Sequence, residues 1–369
     1  MGSKLFSPIR LRGLEIPNRI MVSPMGQYSA TNGTPGAWHQ QHLGHLAMSG
    51  AGLLCIEATA ISPNARLSPR DLGLWSDENE AALRPIIEFC KSVGGSRIGQ
   101  QLWHVGRKGS VTVAWERQLA IPIDKGGWEI YGASPIPYPK RNTPVALTRA
   151  MMDEVIADYV ATTKRCDRLG VELLELHGAH GYLLHNFLSP LTNERSDEYG
   201  GSRENRMRFP LEVFAAIRKA WPEHKPLGIR ISATDWAPGG WDIEDSIALA
   251  RELQKLDCDY ITASSGGAVV EQAIKPVPGY QVHLAEAIKQ ATGITTIAVG
   301  LITEARQAEE ILQSGKADMV ALGRRMLWDP RWPWHAASEL GEEFFYPKQY
   351  ERSHPSMQGG DFLRPARNM

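Results

Sequence analysis

Eight short apolar runs, separated by stretches of helical spacing, constrain this chain more than any other feature. They are "IMVSP" (20–24), "GLLCIEA" (52–58), "IGQQLW" (98–103), "VELLELH" (171–177), "LGIRIS" (227–232), "YITASS" (260–265), "TTIAVG" (295–300) and "MVALG" (319–323). Continuous apolar runs, without strict alternation, mark strands covered on both faces. Between them "DEVIADYVATTKRCDRLG", "EVFAAIRKAW", "SIALARELQKLD", "LAEAIKQATG" and "EARQAEEILQSG" repeat their apolar positions at helical intervals, and several close on Gly. Strand–helix alternation requires parallel crossovers. Eight such units predict an α/β fold, a closed (β/α)₈ TIM barrel in a single domain. An open doubly wound sheet would want G-x-G-x-x-G after its first strand, and "SPMGQYS" does not supply it.

The chain, at 369 residues, exceeds a minimal barrel, and the excess has identifiable places. One is an excursion at 104–150 between the third strand and its helix, another a polar loop at 185–205, and the last a Pro/Gly-rich tail. No linker divides the chain, so 1–352 reads as one barrel and 353–369 as the tail.

A formal net charge of −1 gives no global attraction for nucleic acid or an anionic membrane. The four cysteines, Cys55, Cys90, Cys166 and Cys258, form no C-x-x-C. That argues against a zinc ribbon, an iron–sulfur cluster or a disulfide framework, and fits a reducing compartment. "MGSKLFSPIR" lacks the apolar segment of a secretory signal, and no apolar run reaches membrane-spanning length. A soluble cytoplasmic protein is expected.

Catalytic groups of such barrels stand at the C-terminal ends of the strands. Here those ends carry Ser23, Pro24, Met25 and Gly26, then Ala58, then Gln101 with His104, then His177, His180 and Tyr182. The later ends carry Arg230 with Ser232, Ser264 with Ser265, Gly300, and Gly323 with Arg324. Gly after strand seven and Gly-Arg after strand eight suit a phosphate cradle, in which backbone N–H groups approach the anion closely. The alternative is that these glycines only turn the chain. Arg230 interrupts an apolar strand, where a guanidinium is costly unless it meets an anion, a carbonyl-rich ligand or a core carboxylate.

His177 and His180 lie three apart at a strand end. They are not the H-E-x-x-H of a metalloprotease, and no third metal ligand stands nearby. Three readings remain: a metal pair, a structural pair satisfied by backbone, or two N–H donors on one carbonyl oxygen. In the last, each donor is worth roughly two to three orders of magnitude in rate. Tyr182 is then a candidate proton donor to the carbon beside that carbonyl, or else a core aromatic.

These residues resemble the old yellow enzyme family of flavin-dependent ene-reductases, in its bacterial branch with thermophilic members. The resemblance runs from "LFSPIRLRGLEIPNRIMVSPM" to "QYER" at 349–352. Its most specific pieces are "HGAHGYLLHNFLSPLTNERSDEYGGSRENRMRF" (177–209) and "AVGLIT…ADMVALGRRMLWDP". It implies a barrel holding non-covalent FMN, reduced by NADPH or NADH, that passes hydride to activated alkenes. Flavin contacts would be Ser23, Pro24, Met25, Gly26, Ala58, Gln101, Arg230, Ser264, Gly300, Gly323 and Arg324. His177 and His180 match the family's carbonyl-binding pair, Tyr182 its proton donor, and Tyr28 a substrate-pocket tyrosine. Arg352 matches an arginine that reaches a neighbouring subunit's site, which implies a dimer or dimer-based oligomer. One departure is Gly26, where the branch usually has a cysteine beside the flavin. That departure gives some footing to an alternative, a flavin-binding redox module with little turnover. A non-flavin aldolase would want a strand-end lysine, and none of these ends carries one.

Overall fold

The computed structural model describes residues 2–343 and 345–353. The tail expected from residue 353 lies, beyond Ser353, outside the described residues. Numbered in chain order, the barrel strands are β1 (Ile20–Val22), β2 (Leu53–Ala60), β3 (Arg97–Trp103) and β4 (Leu173–Gly178). They continue as β5 (Leu227–Ser232), β6 (Tyr260–Ser264), β7 (Thr295–Val299) and β8 (Met319–Leu322). All eight runs read from the sequence are strands, each pairs in parallel with the next, and β8 closes on β1. The fold is the expected (β/α)₈ barrel.

Side chains alternate across each strand. In β4, Leu174 and Leu176 join the helix-facing core, whereas Leu173 joins the barrel interior with Met21, Leu53, Tyr260, Ile297 and Met319. A hairpin of Ile9–Leu11 and Leu14–Ile16 precedes β1, and its Leu11 and Ile16 pack onto that interior cluster. The sequence pattern does not anticipate this hairpin. One level further along the strands the interior becomes polar. Glu175 accepts hydrogen bonds from Gln101 Nε2 at 2.7 Å and from Thr262 Oγ1 at 2.6 Å, all three residues being buried. Arg230 lies in register with His177 on one side and Thr262 on the other. The apolar half of the barrel therefore holds the strands together, and the polar half faces the mouth.

Helices are capped where side chains can reach the first turn. Ser76, Thr148, Ser202 and Asp242 each accept an N-terminal backbone N–H, and Gly293 ends its helix with φ of 73°. The excursion is built of 3₁₀ turns and a short parallel pair, Tyr131–Gly132 with Val145–Ala146. The polar loop expected at 185–205 differs at its start. Leu183–Leu188 is a helix whose every residue is buried. His185 is accommodated there because its Nδ1 accepts from Gly181 N at 2.8 Å and its Nε2 faces Asp235 Oδ1 at 3.0 Å. Among the described residues, no helix is long and apolar enough to cross a membrane.

Candidate active site

Two adjoining cavities open at the C-terminal ends of the strands, and Pro24, His180 and Arg230 line both. The larger, about 480 Å³, is also lined by Ser23, Met25, Ser264, Gly300, Gly323 and Arg324. The smaller, about 190 Å³, is lined by Gly26, Tyr28, Ala58, Gln101, His177 and Tyr182. Every residue to which the resemblance assigns a role, except Arg352, thus lines one of the two. Of the other strand-end residues, Ser265 lines the larger cavity, whereas His104 and Ser232 line neither. Arg352 is exposed in the turn Lys348–Ser353, whose Tyr350 lines a separate groove along the helix Ala37–Ala47.

His177 and His180 bring their rings together at the junction. Nε2 of His177 and Nδ1 of His180 are 3.4 Å apart, with the rings nearly perpendicular at 79°. His180 has a φ of 59°, a left-handed conformation that a non-glycine residue holds only when its surroundings impose it. Its N–H donates to Ser232 Oγ at 2.9 Å, and its carbonyl accepts from Lys108 Nζ at 2.8 Å. Burial first, and then the Arg230 guanidinium, push both imidazoles well below the usual histidine range, so both are neutral at physiological pH. Tyr182 stands edge-on to His177 at 4.9 Å and to Trp103 at 4.7 Å, and burial raises its phenol above the ordinary value.

Arg230 is half-buried, with its Nε closed off from solvent. Burial lowers its pKa, and the nearby Glu175 opposes that shift; the same burial raises Glu175, which Arg230 opposes. Both Glu175 oxygens are already taken by Gln101 and Thr262, and no carboxylate lies within ion-pair distance of Arg230 among the described residues. Its Nε and the Ser23 hydroxyl are buried without a hydrogen-bond partner. A charge and a hydroxyl left so in a cavity wall suit an anionic, carbonyl-rich occupant. At the far end of the larger cavity, a Cβ added to Gly323 would touch nothing nearer than Met25 Sδ at 3.6 Å, so that wall is open to a close-fitting group.

Sequence reasoning misses several lining residues. Glu57 and Ala58 are sequence neighbours, yet both face the smaller cavity, because the β2–β3 register shifts between Ile56 and Thr59. An acid inside an apolar run is the available signal for Glu57. Asp71, pushed up to about 6 by burial, and Trp103 also line it. Lys108, pushed down to about 7 by burial and then by Arg107 and Arg141, sits 5.5 Å over the Tyr182 ring. Arg325 joins Arg324 on the larger cavity. No group of three metal-ligating side chains occurs among the described residues.

Gly181 separates His180 from Tyr182 with φ of 70°, and a Cβ there would collide with the Gly267 carbonyl. Gly181→Ala should cost about 1–3 kcal/mol from the backbone conformation alone. The loss would appear as a lower urea midpoint at unchanged m-value; an unchanged midpoint would mean that this loop is not held as described.

Residues 4–343 match the family described as NADH:flavin oxidoreductase / NADH oxidase. The chain is 44% identical over 354 residues to NADPH dehydrogenase of Geobacillus sp. (strain WCH70), covering 95% of this chain and 99% of that one. Morphinone reductase in complex with tetrahydroNAD superposes with a TM-score of 0.76 at 29% identity, covering 94% of this chain and 93% of that one. A 2-naphthoyl-CoA reductase complex superposes with a TM-score of 0.82 at 24% identity, a likeness of fold. That match covers 92% of this chain but 52% of the reductase, so this chain spans about half its length.

Proposed function

The chain belongs to the NADH:flavin oxidoreductase / NADH oxidase family, of which the old yellow enzymes are members, and from that premise we propose that it is an NAD(P)H-dependent FMN ene-reductase. Its substrates would be activated alkenes such as enones, enals, maleimides or nitroalkenes. FMN would be held non-covalently by Ser23, Pro24, Met25, Gly26, Ala58, Gln101, Arg230, Ser264, Gly300, Gly323 and Arg324. The unpartnered Ser23 Oγ and Arg230 Nε, and the open wall at Gly323, support that occupant. When bound, FMN would supply hydride chemistry between NADPH or NADH and the β-carbon of the alkene, in a ping-pong cycle.

The chain's own groups do the rest. His177 and His180 hold the carbonyl or nitro oxygen and polarise it, which stabilises the negative charge that develops there. Tyr182 holds a proton near the adjacent carbon and donates it. Its raised pKa keeps the phenol protonated at neutral pH, as a donor must be. Arg230 would supply a fixed positive charge in the cavity wall, where its field is less screened than in bulk water. Gln101 has spent one amide hydrogen on Glu175, which leaves its carbonyl oxygen and second hydrogen for the ring edge. Tyr28 bounds the substrate side, and Arg352 would complete the site of a second copy in a dimer-based assembly.

The observation that carries this reading is the pair of facing imidazole nitrogens 3.4 Å apart beside Tyr182, in a cavity continuous with Arg230. The test is a visible spectrum of the purified protein, titrated with a phenol, followed by NADPH oxidation with and without cyclohexenone. Bound flavin, a long-wavelength charge-transfer band and enone-dependent oxidation are expected. A folded preparation that takes up no FMN on reconstitution would end the reading. Flavin binding without enone-dependent turnover would favour the redox-module alternative.

A further inference from the structure

A neutral imidazole carries one N–H, and what its other nitrogen meets decides which nitrogen holds it. Two histidines can therefore both donate to one oxygen only if both tautomers are set correctly. For His177 the backbone does this. Its Nδ1 accepts from Ala179 N at 3.2 Å, so the proton is on Nε2, the atom that faces His180.

For His180 the choice rests on one hydroxyl. Its Nδ1 faces His177 and its Nε2 lies 2.8 Å from Ser264 Oγ. If His180 carried the proton on Nε2, it would donate to Ser264, and the serine hydrogen would need another acceptor. Ser264 is 3% exposed and its hydroxyl bonds His180 alone among the described residues, so that only an occupant of the larger cavity, which Ser264 lines, could otherwise take its hydrogen. The 3.4 Å separation of the two facing nitrogens also exceeds an ordinary N–H donor distance. It suits two N–H groups turned towards a common third atom better than one bonded to the other. The His180 backbone is held at Ser232 and at Lys108, which fixes where its side chain leaves the main chain. Ser232 cannot take over the task of Ser264, since its own hydrogen goes to the Gly266 carbonyl at 2.8 Å.

We propose that Ser264 is a positioning residue that donates its hydroxyl hydrogen to His180 Nε2, so holding the proton on Nδ1 and making the histidine pair a two-donor grip on a single oxygen. This rests on the reading of that pair as the substrate-oxygen site. It assigns the Ser264 hydroxyl a task separate from contact with FMN. Substrate discrimination follows from it. The site takes a ligand atom with two accessible lone pairs, such as a carbonyl, nitro or phenolate oxygen, and disfavours an N–H or O–H donor there.

The test is the ring ¹⁵N spectrum of holoenzyme labelled at histidine, with His180 assigned by comparison with His180→Asn. The wild-type protein should show a protonated Nδ1 and an unprotonated, hydrogen-bonded Nε2 at His180, unchanged between pH 6 and 8. Ser264→Ala should lose that pattern and bind phenols roughly 10- to 100-fold more weakly, a fraction of what a whole donor is worth. Ser264→Thr, which keeps the hydroxyl, should restore both, with flavin content measured alongside. A protonated Nε2 in the wild-type protein would overturn the proposal, even if Ser264→Ala fails to fold. An enzyme that reduces enones with Nε2 protonated refutes this inference alone. One that shows the Nδ1–H tautomer but reduces no alkene upholds the inference and refutes the function.

Discussion

Replacing His177 and His180 together by alanine is expected to lower the rate of the alkene half-reaction on the order of 10⁴-fold, with phenol binding lost in parallel. One preorganised donor is typically worth roughly 10²–10³ in rate, and two donors on the same oxygen act as a unit, so the double variant falls short of the product of the singles. The site sharpens the effect. His177 is buried and His180 half-buried, and desolvation and then Arg230 push both well below the usual histidine range. They would therefore act as neutral donors, and lowering the pH through the ordinary histidine range should not charge them. The wild-type alkene step should show no ionisation in that range that the double variant removes. Stopped-flow reoxidation of the reduced enzyme by cyclohexenone, at several pH values, reads both effects. Wild-type reoxidation kinetics in the double variant would mean that the pair does not hold the substrate oxygen.

Arg230→Met is expected to weaken FMN binding on the order of 10²-fold and to yield protein with little colour. The half-buried guanidinium has a buried Nε without a partner, and the nearby Glu175 has both oxygens engaged by Gln101 and Thr262. On the proposed reading, an anionic, carbonyl-rich ligand would use such a cation and so offset its cost. A hydrogen bond to a charged group contributes roughly 1.5–3 kcal/mol, which is about one to two decades in affinity. Removing the cation leaves Glu175 without its counter-charge, and its already raised pKa should rise further until it takes up a proton. That escape limits the damage to the fold, so flavin loss should exceed any loss of secondary structure. Fluorescence titration of apoprotein with FMN measures the affinity, and circular dichroism the fold. An Arg230→Met protein that binds FMN like the wild type would remove the case for this residue as a cofactor contact.

Much of the scaffold is legible directly. All eight barrel strands lie on the apolar runs, because a strand buried on both faces needs no partner to reveal itself. The hairpin spanning Ile9–Leu11 and Leu14–Ile16 escapes notice because two three-residue strands give too short a pattern to register. The helix Leu183–Leu188 reads as loop because His185 and Asn186 are polar. The groups that bury His185 include Asp235, which the loop after the next strand supplies. Lys108 gives no signal, since its low pKa results from packing against groups spread from Arg107 to Arg141.

The division has a physical basis. Periodicity, glycine at strand ends and a cation inside an apolar strand are local properties of the chain, and they determined the barrel and which residue types gather at the C-terminal ends of its strands. Tautomer, pKa and the sharing of one cavity wall by Glu57 and Ala58 arise from contacts between segments distant in the chain. Ser264 reaches His180 across 84 positions, and Thr262 reaches Glu175 across 87. Only barrel closure sets those distances, because it brings strands that are remote in the chain around one interior.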